Sequence, residues 1–203
     1  KGETQQAVFD KLVTGTLNTP YTWETELSAL GQQSFDGPSD KQLAVRAKWE
    51  ELIDSGRLGY MATLRNLRNM LEADVSGDHV EKVCALLADA KAVQKAKQLP
   101  FRFLAAYREL KVLPFGHVPI LLEALEDAIY ASTANLRGFA ANTRVVVACD
   151  VSGSMQKPVS PKSKVLLYDI GLLLGMLLHT KCRNVLSGMF GDTWKTIALP
   201  PGQ

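Results

Sequence analysis

The hydrophobic pattern of this chain changes period once, at Arg144. Up to about residue 137 the apolar residues recur at helical spacing, with no convincing alternation. Val145-Val146-Val147-Ala148-Cys149 is then a continuous, mostly β-branched apolar run of the kind expected of a strand buried on both faces of a parallel sheet. A chain with that switch is neither one helical bundle nor one all-β domain.

The helix starts are legible residue by residue. Thr22 precedes Trp23-Glu24-Thr25-Glu26, which puts acids in a first turn, and Ser39-Asp40-Lys41-Gln42 has the spacing of a capping box ahead of a helix through about Asp54. Ser55-Gly56 ends that helix. The spacing of Met61, Leu64, Leu67 and Leu71 predicts a single helix from Leu58 to Leu71, closed by Val75-Ser76-Gly77. Asp78-His79-Val80-Glu81 reads as another capping box, with Val80, Val83 and Leu87 facing inward. Pro100 and Pro119 sit where a first-turn proline costs no hydrogen bond, and each opens an apolar helix. After Pro119, Leu121, Leu125, Ala128 and Ile129 share one face. Helix pairs joined by short turns fit an α-solenoid or a small bundle.

Beyond Asp150 a loop containing Gly, Ser and Pro precedes a long apolar helix from about Ser163 to Thr180. Strands follow at Asn184 to Phe190 and Trp194 to Leu199. A β-loop-α-β order with a hairpin-like return is α/β. The expected organisation is two domains, 1–140 and 141–203, with the join near Leu136 to Thr143.

Charge excludes some functions. Lys+Arg of 23 against Asp+Glu of 21 leaves +2, too near neutral for a polyanion-coating arm as the main activity. Basic residues still concentrate locally: Lys82, Lys91, Lys95, Lys97, Arg102, Arg108 and Lys111 stand against Glu81, Asp89 and Glu109. Such a face suits phosphates through counterion release, or is simply a solvated helix surface. Arg65 and Arg68, flanked by Asn66 and Asn69, either join such a phosphate-binding face or simply cap and bridge adjacent helices. Cys84, Cys149 and Cys182 show no CxxC spacing and cannot build a disulfide framework, which points to a reducing, cytoplasmic setting. Cys84 and Cys182 read as packing residues, Trp23 and Trp49 as anchors between helices, and His79, His117 and His179 as structural or surface groups. The apolar stretch Val165 to Leu178 is broken by Asp169 and stops short of the roughly 20 residues a membrane span requires.

The string with the most chemistry is Cys149-Asp150-Val151-Ser152-Gly153-Ser154-Met155, at the carboxyl end of the first strand, where open α/β sheets place ligands. One carboxylate and two hydroxyls at alternate positions offer only oxygen, so a hard cation such as Mg²⁺ or Mn²⁺ is implied rather than zinc. The bland reading is a strand-end turn that caps the next helix. A phosphohydrolase reading makes Asp150 the nucleophile. It lacks its acid and base, because Ser152 stands where a second Asp is needed.

Asp150, Ser152 and Ser154 match the Asp-x-Ser-x-Ser signature of the metal-ion-dependent adhesion site in von Willebrand factor A domains. By that resemblance the two serines bind the cation directly and the aspartate acts mainly through water, while an open position takes an acidic group from a partner. Four strings in order narrow the family: Trp49-Glu50-Glu51-Leu52-Ile53, Gly59 to Met70 (GYMATLRNLRNM), Leu99 to Tyr107 (LPFRFLAAY), and Asp150 to Met155. Together they resemble the Ro 60 kDa autoantigen family. In these TROVE-domain proteins a ring of HEAT-like helical repeats closes beside a von Willebrand A domain.

The resemblance implies a fold of HEAT-like helical repeats (an α-solenoid) over 1–140, followed by the first half of a Rossmann-like von Willebrand A domain over 141–203. It implies binding of small structured, Y-like RNA or misfolded RNA in RNA quality control, as a ribonucleoprotein component without catalysis of its own. Arg65, Arg68, Lys91, Lys95, Lys97 and Arg102 are the expected RNA contacts, and a nuclease or other protein is the expected partner of the A-type domain. The family's most basic helices would lie before Lys1, and its later metal-site residues have no counterpart here. Asp192, in Phe190-Gly191-Asp192, belongs to a different loop and does not replace them. The chain is therefore expected to be a portion of a longer protein, to hold Mg²⁺ weakly or not at all, and to need a second segment or chain to cover the edge of the Val145 to Cys149 strand. The alternative is a metal-dependent interaction module with no RNA role.

Overall fold

The computed structural model describes residues 3–16, 18, 20–161 and 163–198. They fall into two compact units, Lys1–Leu58 and Gly59–Gln203. The change from helices to strands lies inside the second unit.

Among its described residues the first unit holds three helices: α1 (Gln5–Val13), α2 (Trp23–Gly31) and α3 (Pro38–Asp54). Thr22 caps α2 as its sequence predicts, because the Thr25 amide donates to Thr22 Oγ1 at 3.3 Å and the Thr22 amide donates to Thr25 Oγ1 at 3.0 Å. The capping box expected at Ser39 to Gln42 does not form. Pro38 already has the backbone angle of a first helical residue and lacks only an N–H that would find no partner inside the helix there, so α3 starts at Pro38, with Gly37 as its cap. Trp23 and Trp49 stack at 6.1 Å between ring centroids, and Trp49 and Leu52 are almost fully buried, as anchors should be. Lys48 ties α2 to α3 by reaching Glu26 at 3.3 Å and Glu51 at 2.7 Å.

The second unit begins with α4 (Tyr60–Arg65), α5 (Leu67–Glu72), α6 (Gly77–Ala88), α7 (Ala90–Ala96), α8 (Pro100–Leu110) and α9 (Val118–Ser132). The single helix expected from Leu58 to Leu71 is interrupted at Asn66. The Asn66 side-chain amide donates to Ala62 O at 2.8 Å and its carbonyl accepts from Asn69 Nδ2 at 2.8 Å. This local network around the buried Asn66 competes with the main-chain ladder and interrupts the helix without spoiling its apolar face. The start of α6 is also displaced from the expected box. Ser76 occupies the cap position and its Oγ lies 2.6 Å from His79 Nδ1, while Asp78 sits within the first turn. Asp89 stops α6 and caps α7, accepting from the Lys91 and Ala92 amides. Pro100 and Pro119 open α8 and α9 as expected. Leu67, Val83, Leu87, Val93, Phe103, Leu121, Leu125 and Ala128 form the core, with α9 packed against α6, α7 and α8.

A three-stranded sheet follows, ordered β1 (Arg144–Asp150), β2 (Asn184–Phe190), β3 (Trp194–Thr196). β1 and β2 are parallel, with Val145 opposite Val185, and β3 returns antiparallel, with Trp194 opposite Phe190. The expected third strand ran to Leu199. It ends at Thr196, and Leu199 lies outside the described residues. The crossover is α10 (Leu167–Lys181), which begins later than Ser163 because Leu166 bridges back to Pro158. One expectation is overturned: β1 is covered on a single face. Val147 and Cys149 are buried beneath α10, whereas Val146 is 64% exposed and Leu186 beside it 48%. The β-branched run reports strand propensity here, and α10 is the only helix packed extensively on β1 among the described residues. α10 approaches closely at Gly175, where a Cβ would lie 2.7 Å from Cys149 Sγ and 3.0 Å from Val147 Cγ1. No helix among the described residues is long and apolar enough to cross a membrane.

Candidate functional site

The oxygen-bearing loop forms where β1 ends. Asp150 closes the strand, and its Oδ1 accepts the Ser152 amide at 2.9 Å. Bonds from the Ser152 side chain and amide hold the Asp150 carboxyl below its ordinary value, so it is a carboxylate at neutral pH. A single 3₁₀ turn, Gly153–Met155, then brings the two hydroxyls together, with Ser152 Oγ and Ser154 Oγ 3.1 Å apart. Cis ligands of an octahedral Mg²⁺, at 2.0–2.1 Å from the metal, stand about 2.9 Å apart. The serine pair therefore fits two neighbouring positions on a small hard cation.

The rest of the coordination sphere is thin. No group of three His, Cys, Asp or Glu side chains gathers among the described residues, so this loop supplies one carboxylate and two neutral oxygens. The turn after β2 lies alongside it, with Gly191 near the Ser152 backbone and the Val151 amide donating to Phe190 O at 2.9 Å. A cavity of about 440 Å³ opens next to the loop, lined by Val151, Gln156, Leu166, Tyr168, Leu172 and Met189.

The expected RNA contacts divide into two kinds. Arg65 ends α4 and Arg102 lies in the first turn of α8, and they line one cleft of about 450 Å³ with Met61, Leu64, Ala105, Ala106 and Glu109. Lys91 and Lys95 lie four apart on α7, and Lys97 terminates that helix in a left-handed conformation. All five are exposed, and none is ion-paired among the described residues. α7 packs on α4, which in turn packs on α8, so the cations ride on connected elements. Arg68 differs. It is held by Glu72 at 2.7 Å and lies 3.8 Å from Glu109 of α8, which makes it the helix bridge that the sequence left open as an alternative.

Arg108 belongs to a different arrangement from the basic run it sits in. Its guanidinium grips both carboxylate oxygens of Asp169 in the first turn of α10, and one nitrogen also donates to Lys164 O at 3.2 Å. Burial pushes the Asp169 carboxyl up, but the Arg108 guanidinium and the Leu166 amide outweigh it and leave the group below its ordinary value. The signal for this clamp was an acid interrupting an apolar helix, which requires a cationic partner once buried. His179 and Ser187 pair at 2.9 Å between α10 and β2, a structural role as expected.

Comparison with known proteins adds three findings. The TROVE domain family matches residues 6–113. "Telomerase protein component 1" of Rattus norvegicus is 43% identical over 94 residues, 46% of this chain but 3% of that protein. Its Mus musculus counterpart is 41% identical over 97 residues, 48% of this chain and 3% of that protein. The chain thus spans a very small part of these relatives. The crystal structure of the Deinococcus radiodurans Ro (RSR) protein superposes with a TM-score of 0.56 at 21% identity, covering 94% of this chain and 44% of that one, a likeness of fold.

Proposed function

This chain belongs to the TROVE-domain family, and on that premise we propose that it is a Ro-type RNA-binding protein. It would bind small non-coding, Y-like or misfolded RNA in the cytoplasm as a non-catalytic ribonucleoprotein component acting in RNA quality control. The helices correspond in this reading to HEAT-like repeats, and the segment from β1 onward to the first half of a von Willebrand A domain. The observation that carries it is a set of exposed cations without an ion pair among the described residues, Arg65, Lys91, Lys95, Lys97 and Arg102, on connected helices inside the matched family segment. Cations without carboxylate partners are free to replace the counterions of phosphates. The test is fluorescence anisotropy of a labelled structured RNA against salt. Five phosphate contacts predict a slope of log affinity on log salt of about −3.5 to −4.5. A flat dependence contradicts the reading.

The loop supports a second element of the proposal. Asp150, Ser152 and Ser154 would hold a divalent cation, Mg²⁺ first, with Ser152 and Ser154 as direct ligands and Asp150 acting mainly through water. Bound there, the cation would supply an open coordination position for an acidic group of a protein partner, a nuclease being one candidate. The chain's own part is to hold two hydroxyls at ligand spacing and keep one carboxylate ionised beside them. Magnesium titration followed by amide shifts is expected to move Ser152 and Ser154 at high concentration, and Asp150→Ala to abolish the movement. No movement in the unsubstituted chain contradicts the assignment. A metal-dependent module without RNA binding would lose its partner to a chelator and keep it through a salt titration.

A further inference from the structure

The cleft shared by Arg65 and Arg102 has more than charge. Its volume of about 450 Å³ lies within the range of small-ligand sites. Beside the charged groups its lining includes four apolar side chains, Met61, Leu64, Ala105 and Ala106, with little to hydrogen-bond, which together are called its floor below. The two guanidinium groups are the cations of its lining; the Arg102 guanidinium also rests 5.5 Å from the Phe101 ring. Glu109, the one carboxylate in the lining, is 3.8 Å from Arg68 and so partly answered from outside the cleft.

We propose that this cleft holds one unpaired nucleotide of a bound RNA, its base against Met61, Leu64, Ala105 and Ala106 and its flanking phosphates on Arg65 and Arg102. This rests on the RNA-binding reading above and adds a subsite to it. A base inside a duplex hides its faces in the stack, so a recess between two helices admits it only when unpaired. The flat apolar face of a base suits an aliphatic floor, and planar guanidinium groups suit phosphate oxygens. An acidic protein segment would use the arginines and leave the floor empty.

The test compares the full chain's affinity for an unstructured oligonucleotide with that for a blunt RNA duplex of equal charge. Ala105→Leu fills the floor without changing charge and is expected to lower the ratio of unpaired to duplex affinity about tenfold. Met61→Gln, close in volume but polar, is expected to shift the ratio the same way by a smaller factor, and serves if the leucine variant fails to fold. Arg102→Gln should weaken single-strand binding and reduce its salt slope by about one. The inference is overturned if both floor variants leave the ratio unchanged, or if oligoglutamate displaces the oligonucleotide as well as unlabelled RNA does. Absence of salt-dependent binding to either RNA instead overturns the RNA-binding reading itself.

Discussion

Arg108→Ala is expected to destabilise the second unit by about 2–3 kcal/mol. Breaking a buried ion pair by removing one partner costs about 3–5 kcal/mol, because a charge is left without compensation. The Arg108 side chain is 35% exposed, which reduces that figure, whereas Asp169 is only 7% exposed and would remain buried with the Leu166 amide as its surviving partner. Asp169→Asn keeps the shape and the bond to Leu166, so it should cost less than Arg108→Ala. Urea unfolding of the two variants reads the order directly. The pH dependence has a definite sign. The folded-state value of Asp169 is depressed, so its contribution is complete above the unfolded carboxyl range near pH 3.9 and is lost as pH falls through the folded value. The stability gap between the unsubstituted chain and Arg108→Ala should therefore narrow in acid. A gap independent of pH would mean that the carboxylate does not draw its stability from Arg108.

Gly175→Val is expected to cost about 3 kcal/mol. Gly175 brings α10 against β1, and even a single added carbon would lie 2.7 Å from Cys149 Sγ and 3.0 Å from Val147 Cγ1. Overpacking of this kind costs roughly 1–3 kcal/mol. Gly175→Ala regains up to about 1 kcal/mol of helix propensity and should lose about 1–2 kcal/mol net. A β-branched residue adds two methyl groups in the same space and falls at or beyond the upper end. Cys149→Ala removes the nearest atom, so the double variant with Gly175→Ala should recover part of the loss, a coupling that unfolding of the four-member cycle measures. Simple additivity would show that the close approach at Gly175 carries no strain.

These two sites also mark what the sequence could and could not convey. Features contiguous in the chain were readable. The Thr22 cap, the prolines opening α8 and α9, the change of period at β1 and the Asp150 to Ser154 string are all governed by neighbours within a few residues. Misplaced elements were local contests between two adequate signals. Pro38 outcompeted Ser39 for the start of α3, Ser76 displaced Asp78 at α6, and the Asn66 side chain opened a break that periodicity alone does not register. Burial of β1 on one face only was unreadable, since a β-branched run has the same letters whether one face is covered or two. The Arg108 clamp joins residues 61 apart, and the Arg65–Arg102 cleft brings together residues from separate helices. The sequence places Arg102 and Arg108 in one basic stretch, and only packing separates a cation bound to Asp169 from cations left free for phosphate.

The central claim is that those free cations capture RNA. It is tested most directly by the salt dependence of structured-RNA binding in a variant with Arg65, Lys91, Lys95, Lys97 and Arg102 all changed to glutamine, after circular dichroism confirms an unchanged fold. The account predicts that the slope of about −3.5 to −4.5 collapses toward zero and that affinity at low salt falls steeply. An unchanged slope would place the RNA-binding surface elsewhere on the chain and contradict it.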